Sequence, residues 1–359
     1  MTPSEIIEKF AVSGTLTEQK QLTCGNINRT YLVTMSDGRR YILQNINISV
    51  FRDPDALMNN ICGVCAHLKR KLPEGADPLR STMTFIDTRD GAHYYRDDEG
   101  RCWRMYIYID AASYQSIEKP GLFYKAAKAF GQFQRRLADY PADTLAETIP
   151  NFHNTVKRFA DFKAAVEGCK LPDRLAECRN EIDMLYEREA LAHIAVDRLA
   201  SGELPMHVTH NDTKLNNILM DAETDEGLCV IDLDTVMPGS VLYDFGDAIR
   251  FGASTAAEDE PDVSKISLDL GLFEEFVRGF IDGTEGSLTA RELELLPEGA
   301  LLLTYEQTLR FLGDYLNGDT YFKINYEKHN LVRARAQLAL LCDMERKLDK
   351  MREIVRGCL

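Results

Sequence analysis

The sequence predicts an α+β protein of two lobes: a small β-rich N-lobe and a larger, mainly helical C-lobe interrupted by a β-hairpin. Three observations predict it. Residues 15–109 read as short apolar runs separated by turn signals, around one main helix. Residues 119–355 read with helical periodicity. A compact β segment over 206–233 breaks into those helices. The expected boundaries are an N-lobe over 1–108, a hinge over 109–117 and a C-lobe over 118–359.

Thr2 or Ser4 caps a first helix, Glu5 to Phe10. Strands over Thr15–Leu22 and Tyr31–Thr34 flank the segment Thr23-Cys24-Gly25-Asn26-Ile27-Asn28. Ser36-Asp37-Gly38 is a hairpin turn before the strand Tyr41-Ile42-Leu43. A helix follows Pro54, with Leu57, Ile61, Val64 and Leu68 on one face. Strands over Met83–Asp87 and Cys102–Ile109 complete the lobe. Helices are expected over Ala126–Leu137, Phe152–Val166 and, unbroken, Leu175–Leu199. Short strands follow at Met206–Thr209, Ile218–Met220 and Cys229–Leu233. The last helices are Tyr243–Phe251, Leu268–Ile281, Ala300–Tyr315 and Asn325 to about Val355.

Composition narrows the functional classes. The chain has 359 residues, 45% hydrophobic and 28% charged, enough to bury a large core. A net charge of −15 without a Lys/Arg run argues against nucleic acid and anionic membranes as partners. It does not argue against ATP, because local cations and Mg²⁺ can hold phosphates. Nine scattered cysteines, and a start without a basic, apolar leader, point to a reducing cytoplasm. Cys62-Gly63-Val64-Cys65 lies in a helical stretch with no second metal-spaced pair, so packing is its expected role. A monomer or simple homodimer is expected.

The chemistry concentrates in His210-Asn211-Asp212-Thr213-Lys214-Leu215-Asn216-Asn217 and Ile231-Asp232-Leu233-Asp234. Phosphoryl transfer needs a carboxylate to orient the attacking hydroxyl, an amide and a second carboxylate on the metal, and a cation for the transferred phosphate. Asp212, Asn217, Asp232 and Lys214 supply that set at workable spacing. An isolated H-x-D is more often an Asx-turn, and Lys214 alone is more often a solvated lysine. Asp234 either reaches a second metal or a bound water, or forms a turn before Met237-Pro238-Gly239. Asp244 either caps a helix or braces the loop. Gly25-Asn26-Ile27-Asn28 lies where a backbone closes over phosphates, though any hairpin carries such residues. No G-x-x-x-x-G-K-[ST] occurs, which excludes a P-loop.

These motifs make the chain resemble the aminoglycoside phosphotransferase and choline kinase superfamily, which has a protein-kinase-like fold. A narrower resemblance, to the N-acetylhexosamine 1-kinases, runs through Gly25 to Thr30, Tyr41-Ile42-Leu43-Gln44, His210 to Leu219, Val230 to Arg250 and Arg310 to Phe322. It implies ATP and Mg²⁺ as cofactors and the anomeric hydroxyl of GlcNAc or GalNAc as acceptor. It implies Asp212 as base, Lys214 on the phosphate, and Asn217 and Asp232 at the metal, which leaves Asp234 as the candidate for a second metal. Gly25, Asn26, Asn28, Gln44, Ile107 and Ile109 would face the nucleotide. Arg310 would bind the sugar, with Asn26, Asp314, Tyr315 and Tyr321 near it and Arg250 offsetting charge. From the residues alone, Arg310 is a helix-surface partner of Glu306 and the tyrosines are packing.

Two departures stand out. Where a kinase carries a strand Lys and a helix Glu, this chain has Gln44-Asn45 and Asn59-Asn60. That implies looser nucleotide binding, or a phosphate grip moved to the glycine loop and Mg²⁺. Asn26 stands where many of the sugar kinases have His. Rival readings are a kinase for choline, ethanolamine, an aminoglycoside or homoserine, and a non-catalytic pseudokinase.

Overall fold

A computed structural model describes residues 2–22 and 27–359. Gly25 and Asn26 therefore lie outside the described residues. In chain order the elements are α1 (Pro3–Ile7), β1 (Leu16–Leu22), β2 (Arg29–Met35), β3 (Arg40–Ile46), α2 (Pro54–Arg70), α3 (Pro78–Ser81), β4 (Phe85–Ile86), β5 (Tyr95–Arg96) and β6 (Cys102–Ile107). Then come α4 (Leu122–Leu137), α5 (Thr155–Glu167), α6 (Pro172–Glu177), α7 (Arg179–Tyr186), α8 (His193–Ser201), β7 (His207–Thr209), β8 (Ile218–Met220), β9 (Gly227–Val230) and β10 (Met237–Gly239). The chain ends with α9 (Val241–Gly252), α10 (Leu270–Thr284), α11 (Ala290–Glu294), α12 (Leu296–Leu316) and α13 (His329–Gly357). This is the expected α+β arrangement. No described helix is long and apolar enough to cross a membrane.

Contacts divide the chain into two compact units. One comprises Met1–Ser113, Asp139–Pro150 and Asn217–Pro238. The other comprises Tyr114–Ala138, Asn151–Asn216 and Gly239–Leu359.

The first unit is built on an antiparallel sheet of order β1-β2-β3-β6-β4, with β5 also paired to β6. Ile6, Phe10, Val33, Leu43, Trp103 and Met105 pack its core. The hairpin β8–β9 belongs to this unit rather than to the helices. Met220 exchanges backbone hydrogen bonds with Ala112, and Asn60 of α2 donates to Val236 O at 3.1 Å. The cysteines of α2 are free, and burial pushes the Cys62 and Cys65 thiols up to about 11 and 12.

The second unit is helical. α12 is buried almost all round, as a central helix must be, and packs on α5, α9 and α13. The two tightest of the unit's helix contacts demand glycine. A Cβ on Gly279 of α10 would lie 2.1 Å from Tyr124 O of α4, and one on Gly246 of α9 would lie 2.2 Å from Gly299 O of α12.

Two expectations need correction. The stretch Leu175–Leu199 is not one helix but α6, α7, a 3₁₀ turn at Glu189–Ala192 and α8. Its apolar period continues, yet Arg188 donates to Met184 O at 2.8 Å and grips Glu345 through two bonds at 2.9 Å, and the chain turns there. The strand expected over Cys229–Leu233 stops at Val230, because Asp232 takes a left-handed conformation with φ 60° and Leu233–Thr235 form a 3₁₀ turn.

Candidate active site

In the helical unit, the loop after β7 is shaped by one buried carboxylate. Asp244, in the first turns of α9, accepts from His210 N at 2.9 Å, Asn211 N at 2.7 Å and Gln134 Nε2 at 2.5 Å. Ser240, not Asp244, caps the helix. Of the two readings of Asp244, the brace is the one realised. Burial pushes its carboxyl above the ordinary value, and His210 and the donated N–H groups pull back. Asn211 sits at φ 65°, a left-handed conformation that Asn tolerates better than most residues. His210 is buried edge-on between Phe130 and Phe133, and its Nδ1 accepts from Asp212 N at 3.2 Å.

This bracing delivers Asp212 with a side chain 27% exposed, open to a small acceptor. Lys214 Nζ lies 2.6 Å from Asp212 Oδ1. Burial works to lower the Lys214 pKa, but Asp212 and Asp247 outweigh it and hold the ammonium above the ordinary lysine value. Lys214 is therefore a cation at neutral pH. Asp247 is held ionised, against burial, by Arg250 and Lys214. Arg250 is itself consumed: Nε and Nη2 donate to Asp247 at 3.1 and 2.9 Å, and Nη1 to Glu258 at 2.6 Å. Its direct role is to fix Asp247.

In the sheet unit, the β8–β9 register brings the other set together. Ile231 N donates to Asn217 O at 2.9 Å, so Asn217 and Asp232 flank the same end of the hairpin. Both offer hard oxygen donors, which suits Mg²⁺, an ion that takes one or two protein ligands and fills its shell with water and phosphate oxygens. No cluster of three or more His, Cys, Asp or Glu among the described residues offers a dedicated metal cage.

Asp234 is placed differently from its neighbour. It is 4% exposed, its Oδ1 lies 2.5 Å from Arg104 Nη1, and its Oδ2 accepts from Asn28 Nδ2 at 2.7 Å. Asn28 Oδ1 in turn accepts from Asn47 N at 3.0 Å. Gln44 is also engaged: its Oε1 accepts from Arg104 Nε and Nη2 at 2.9 and 2.8 Å, and its Nε2 donates to Thr30 Oγ1 at 3.1 Å. Ile107 N donates to Thr84 O at 2.9 Å, and Ile109 is buried.

The residues expected at the sugar other than Asn26 lie in the helical unit. Arg310, Asp314, Tyr321 and Phe322 line a cavity of about 180 Å³ with Arg158 and Asp161. The Arg310 guanidinium stands 5.8, 6.0 and 5.4 Å from the ring centres of Phe152, Tyr321 and Phe322. The alternative Glu306–Arg310 pairing does not form. Glu306 is buried and accepts from His153 at 2.8 Å and Thr155 Oγ1 at 2.6 Å, while Arg310 donates to Gln307 at 3.0 Å. Asp314 lines the cavity, but its carboxylate is taken up by the following loop. Its oxygens accept from the backbone of Thr320, Tyr321 and Phe322, each at 2.9 Å, and from Asn330 at 2.9 Å. Tyr315 is not brought to this cavity: it is 1% exposed, with its hydroxyl 3.0 Å from Glu177 and Arg174 over its ring.

Sequence reasoning missed Arg104, Asp247 and Arg158. Arg104 did carry a signal: a lone cation amid Cys102-Trp103-Arg104-Met105, in a strand otherwise apolar, must find a partner when buried. Arg158 donates to Phe152 O, and burial followed by the charge of Arg310 lowers its pKa.

Comparison with known proteins fits this geometry. The profile of the phosphotransferase enzyme family matches residues 18–279. An aminoglycoside phosphotransferase from Alicyclobacillus acidocaldarius superposes with a TM-score of 0.62 at 14% identity, covering 98% of this chain and 97% of that one. A microcompartment-associated aminopropanol kinase gives 0.60 at 17%, covering 97% of both chains. An amicoumacin kinase solved with AMP-PNP and Ca²⁺ gives 0.57 at 14%, covering 89% and 87%. The chain belongs to the phosphotransferase enzyme family and has its protein-kinase-like fold.

Proposed function

We propose that this phosphotransferase transfers the terminal phosphoryl group of ATP to the anomeric hydroxyl of an N-acetylhexosamine. The observation that carries the reading is the Arg310 cavity and its connection to the catalytic loop. His153 bonds Glu306, one turn before Arg310 on α12, and its ring lies 4.9 Å from that of Tyr243, one residue before the brace Asp244. A planar guanidinium with aromatic faces suits a neutral, polyhydroxylated ring bearing an amide.

The cavity also weighs against a cationic amino alcohol. Arg158 and Arg310 both line it, and the carboxylate of Asp314 is occupied by backbone and amide donors. An ammonium group would meet two guanidinium groups there, with Asp161 the one lining carboxylate left.

In the mechanism, Asp212 accepts the hydrogen bond of the acceptor hydroxyl and aims its oxygen at phosphorus. His210 and Asp244 hold the loop so that this orientation needs no rearrangement at the moment of transfer. Lys214 supplies positive charge beside Asp212. Asn217 and Asp232 would hold Mg²⁺, which when bound neutralises ATP oxygens. An anomeric hydroxyl is more acidic than an ordinary alcohol, so a carboxylate of modest basicity suffices.

Incubation with Mg²⁺-ATP and a panel of free sugars and amino alcohols, read by ³¹P NMR, tests the reading. The expected product is a sugar 1-phosphate from GlcNAc or GalNAc. Transfer to amino alcohols alone would discard the sugar and leave the phosphotransferase.

A further inference from the structure

We propose that Arg104 and Asp234 form the ion pair that stands in for the missing strand–helix Lys–Glu pair. In this proposal Arg104 is a positioning residue that holds the turn Ile231–Asp234 in its metal-binding shape. The inference rests on the proposed use of Mg²⁺-ATP.

The argument starts from register. Gln44 occupies the strand position of the usual lysine, and its direct cross-strand partner is Arg104. A neutral amide on β3 and a cation on β6 thus share the same level of the sheet. Gln44 spends its carbonyl on Arg104, taking both Nε and Nη2, and spends its amide on Thr30. Gln44 is therefore a rail that fixes the guanidinium plane, not a phosphate contact. The remaining edge of the guanidinium meets Asp234 at 2.5 Å.

The helix position has changed in the same sense. Asn60 of α2 carries no charge to offer a strand cation. Its Nδ2 instead donates to Val236 O at 3.1 Å and Ala146 O at 2.8 Å, and its Oδ1 accepts from Ala146 N at 3.0 Å. In a Lys–Glu kinase one ion pair joins strand to helix. Here strand and helix each attach to the same short segment, 231–236, the strand through Arg104–Asp234 and the helix through Asn60–Val236.

That turn needs holding. Asp232 sits at φ 60°, a conformation that costs free energy in a non-glycine residue and persists when its surroundings over-determine it. Asp234, two residues on, is anchored on both oxygens, by Arg104 and by Asn28. At 2% and 4% exposure, neither partner of the ion pair has a solvated alternative.

Calorimetric titration of AMP-PNP into the purified protein, with Mg²⁺ and in EDTA, tests this without any acceptor. Arg104→Met should weaken Mg²⁺-dependent binding by roughly ten- to a hundredfold, the usual cost of losing an outer-shell partner. Metal-free binding should stay near wild type. Asp234→Asn should do the same, and the double variant should be no worse than either single one, because the two act as a unit. If Arg104→Met does not fold, Gln44→Leu keeps the test open: removing the rail should give a smaller loss confined to the metal-dependent part. Equal losses with and without Mg²⁺ would show Arg104 gripping phosphate itself and overturn the positioning role, as would additive effects in the double variant. Variants that bind like wild type overturn it too. A wild-type protein that binds no nucleotide under either condition overturns the proposed function and this inference with it.

Discussion

The two units organise their reactive loops around a buried carboxylate, and they neutralise it in opposite ways. In the helical unit Asp244 collects the N–H groups of His210 and Asn211 and the amide of Gln134. In the sheet unit Asp234 meets the guanidinium of Arg104 and the amide of Asn28. Backbone donors shape a loop directly, because each bond fixes a peptide plane. A guanidinium fixes a side chain, and through it a turn. The loop after β7 is thus set by its own main chain, and the turn at 231–234 by a strand about 130 residues earlier in sequence.

The largest effect is expected at the group that the helical brace presents. Asp212→Asn keeps the size of the side chain and removes its charge and basicity. Its kcat should fall by about 10²–10⁴, while affinity for AMP-PNP stays near wild type. Turnover close to wild type would take the base role away from Asp212.

Next comes the brace itself. Asp244→Asn is isosteric yet should be severe, because the new NH₂ faces N–H groups that need an acceptor. Each buried N–H left unpaired costs about 1–3 kcal/mol. The thermal midpoint should drop, and kcat should fall in whatever fraction remains folded. If the variant melts like wild type, the contrast between the two carboxylates loses its meaning.

Arg310→Ala should act on one substrate only. Losing a charge-assisted hydrogen bond of about 1.5–3 kcal/mol raises the sugar KM roughly ten- to a hundredfold, with the ATP KM little changed. Arg158→Ala, whose guanidinium already serves Phe152 O, should shift the same constant less. Parallel changes in both KM values would remove Arg310 from the acceptor cavity.

What was legible in the sequence follows the same division. Asp212, Lys214, Asn217 and Asp232 fall close together along the chain, so spacing alone suggested a shared task. Asp244 was legible as a carboxylate near a helix start, but which of its two jobs it performs depended on where His210 and Asn211 arrive. Arg104 was legible only as a lone cation in an apolar strand; its partner comes from register, because only the β3–β6 pairing sets it opposite Gln44. Tyr315 and Tyr321 look alike in sequence. Helix phase sends one to Glu177, and the Asp314-anchored loop carries the other to Arg310. Glu306 and Arg310 have ideal helical spacing, and still a distant His153 and Thr155 claim the carboxylate. Local spacing proposes pairs; burial chooses among them.

The smallest expected effect concerns a carboxylate with no part in the chemistry, and it sharpens what distinguishes the two braces. Asp343 of α13 accepts from Leu268 N at 2.8 Å and Ser267 Oγ at 2.9 Å and pairs with Lys347 at 2.6 Å. Burial works against its ionisation, but Lys347, Leu268, Ser267 and Arg346 together bring its pKa down to about 2. An unfolded Asp titrates near 3.9, so this group stabilises the fold fully above that value, and the contribution is lost as pH falls through about 2. Asp244, with its pKa raised, has the opposite sign: its ionisation weighs on the fold as pH rises. The melting-temperature gap between wild type and Asp343→Asn should therefore be constant from pH 7 to about 5 and close as the pH approaches 2. A gap that stays constant down to pH 2 would mean that Asp343 works through packing and not through its charge.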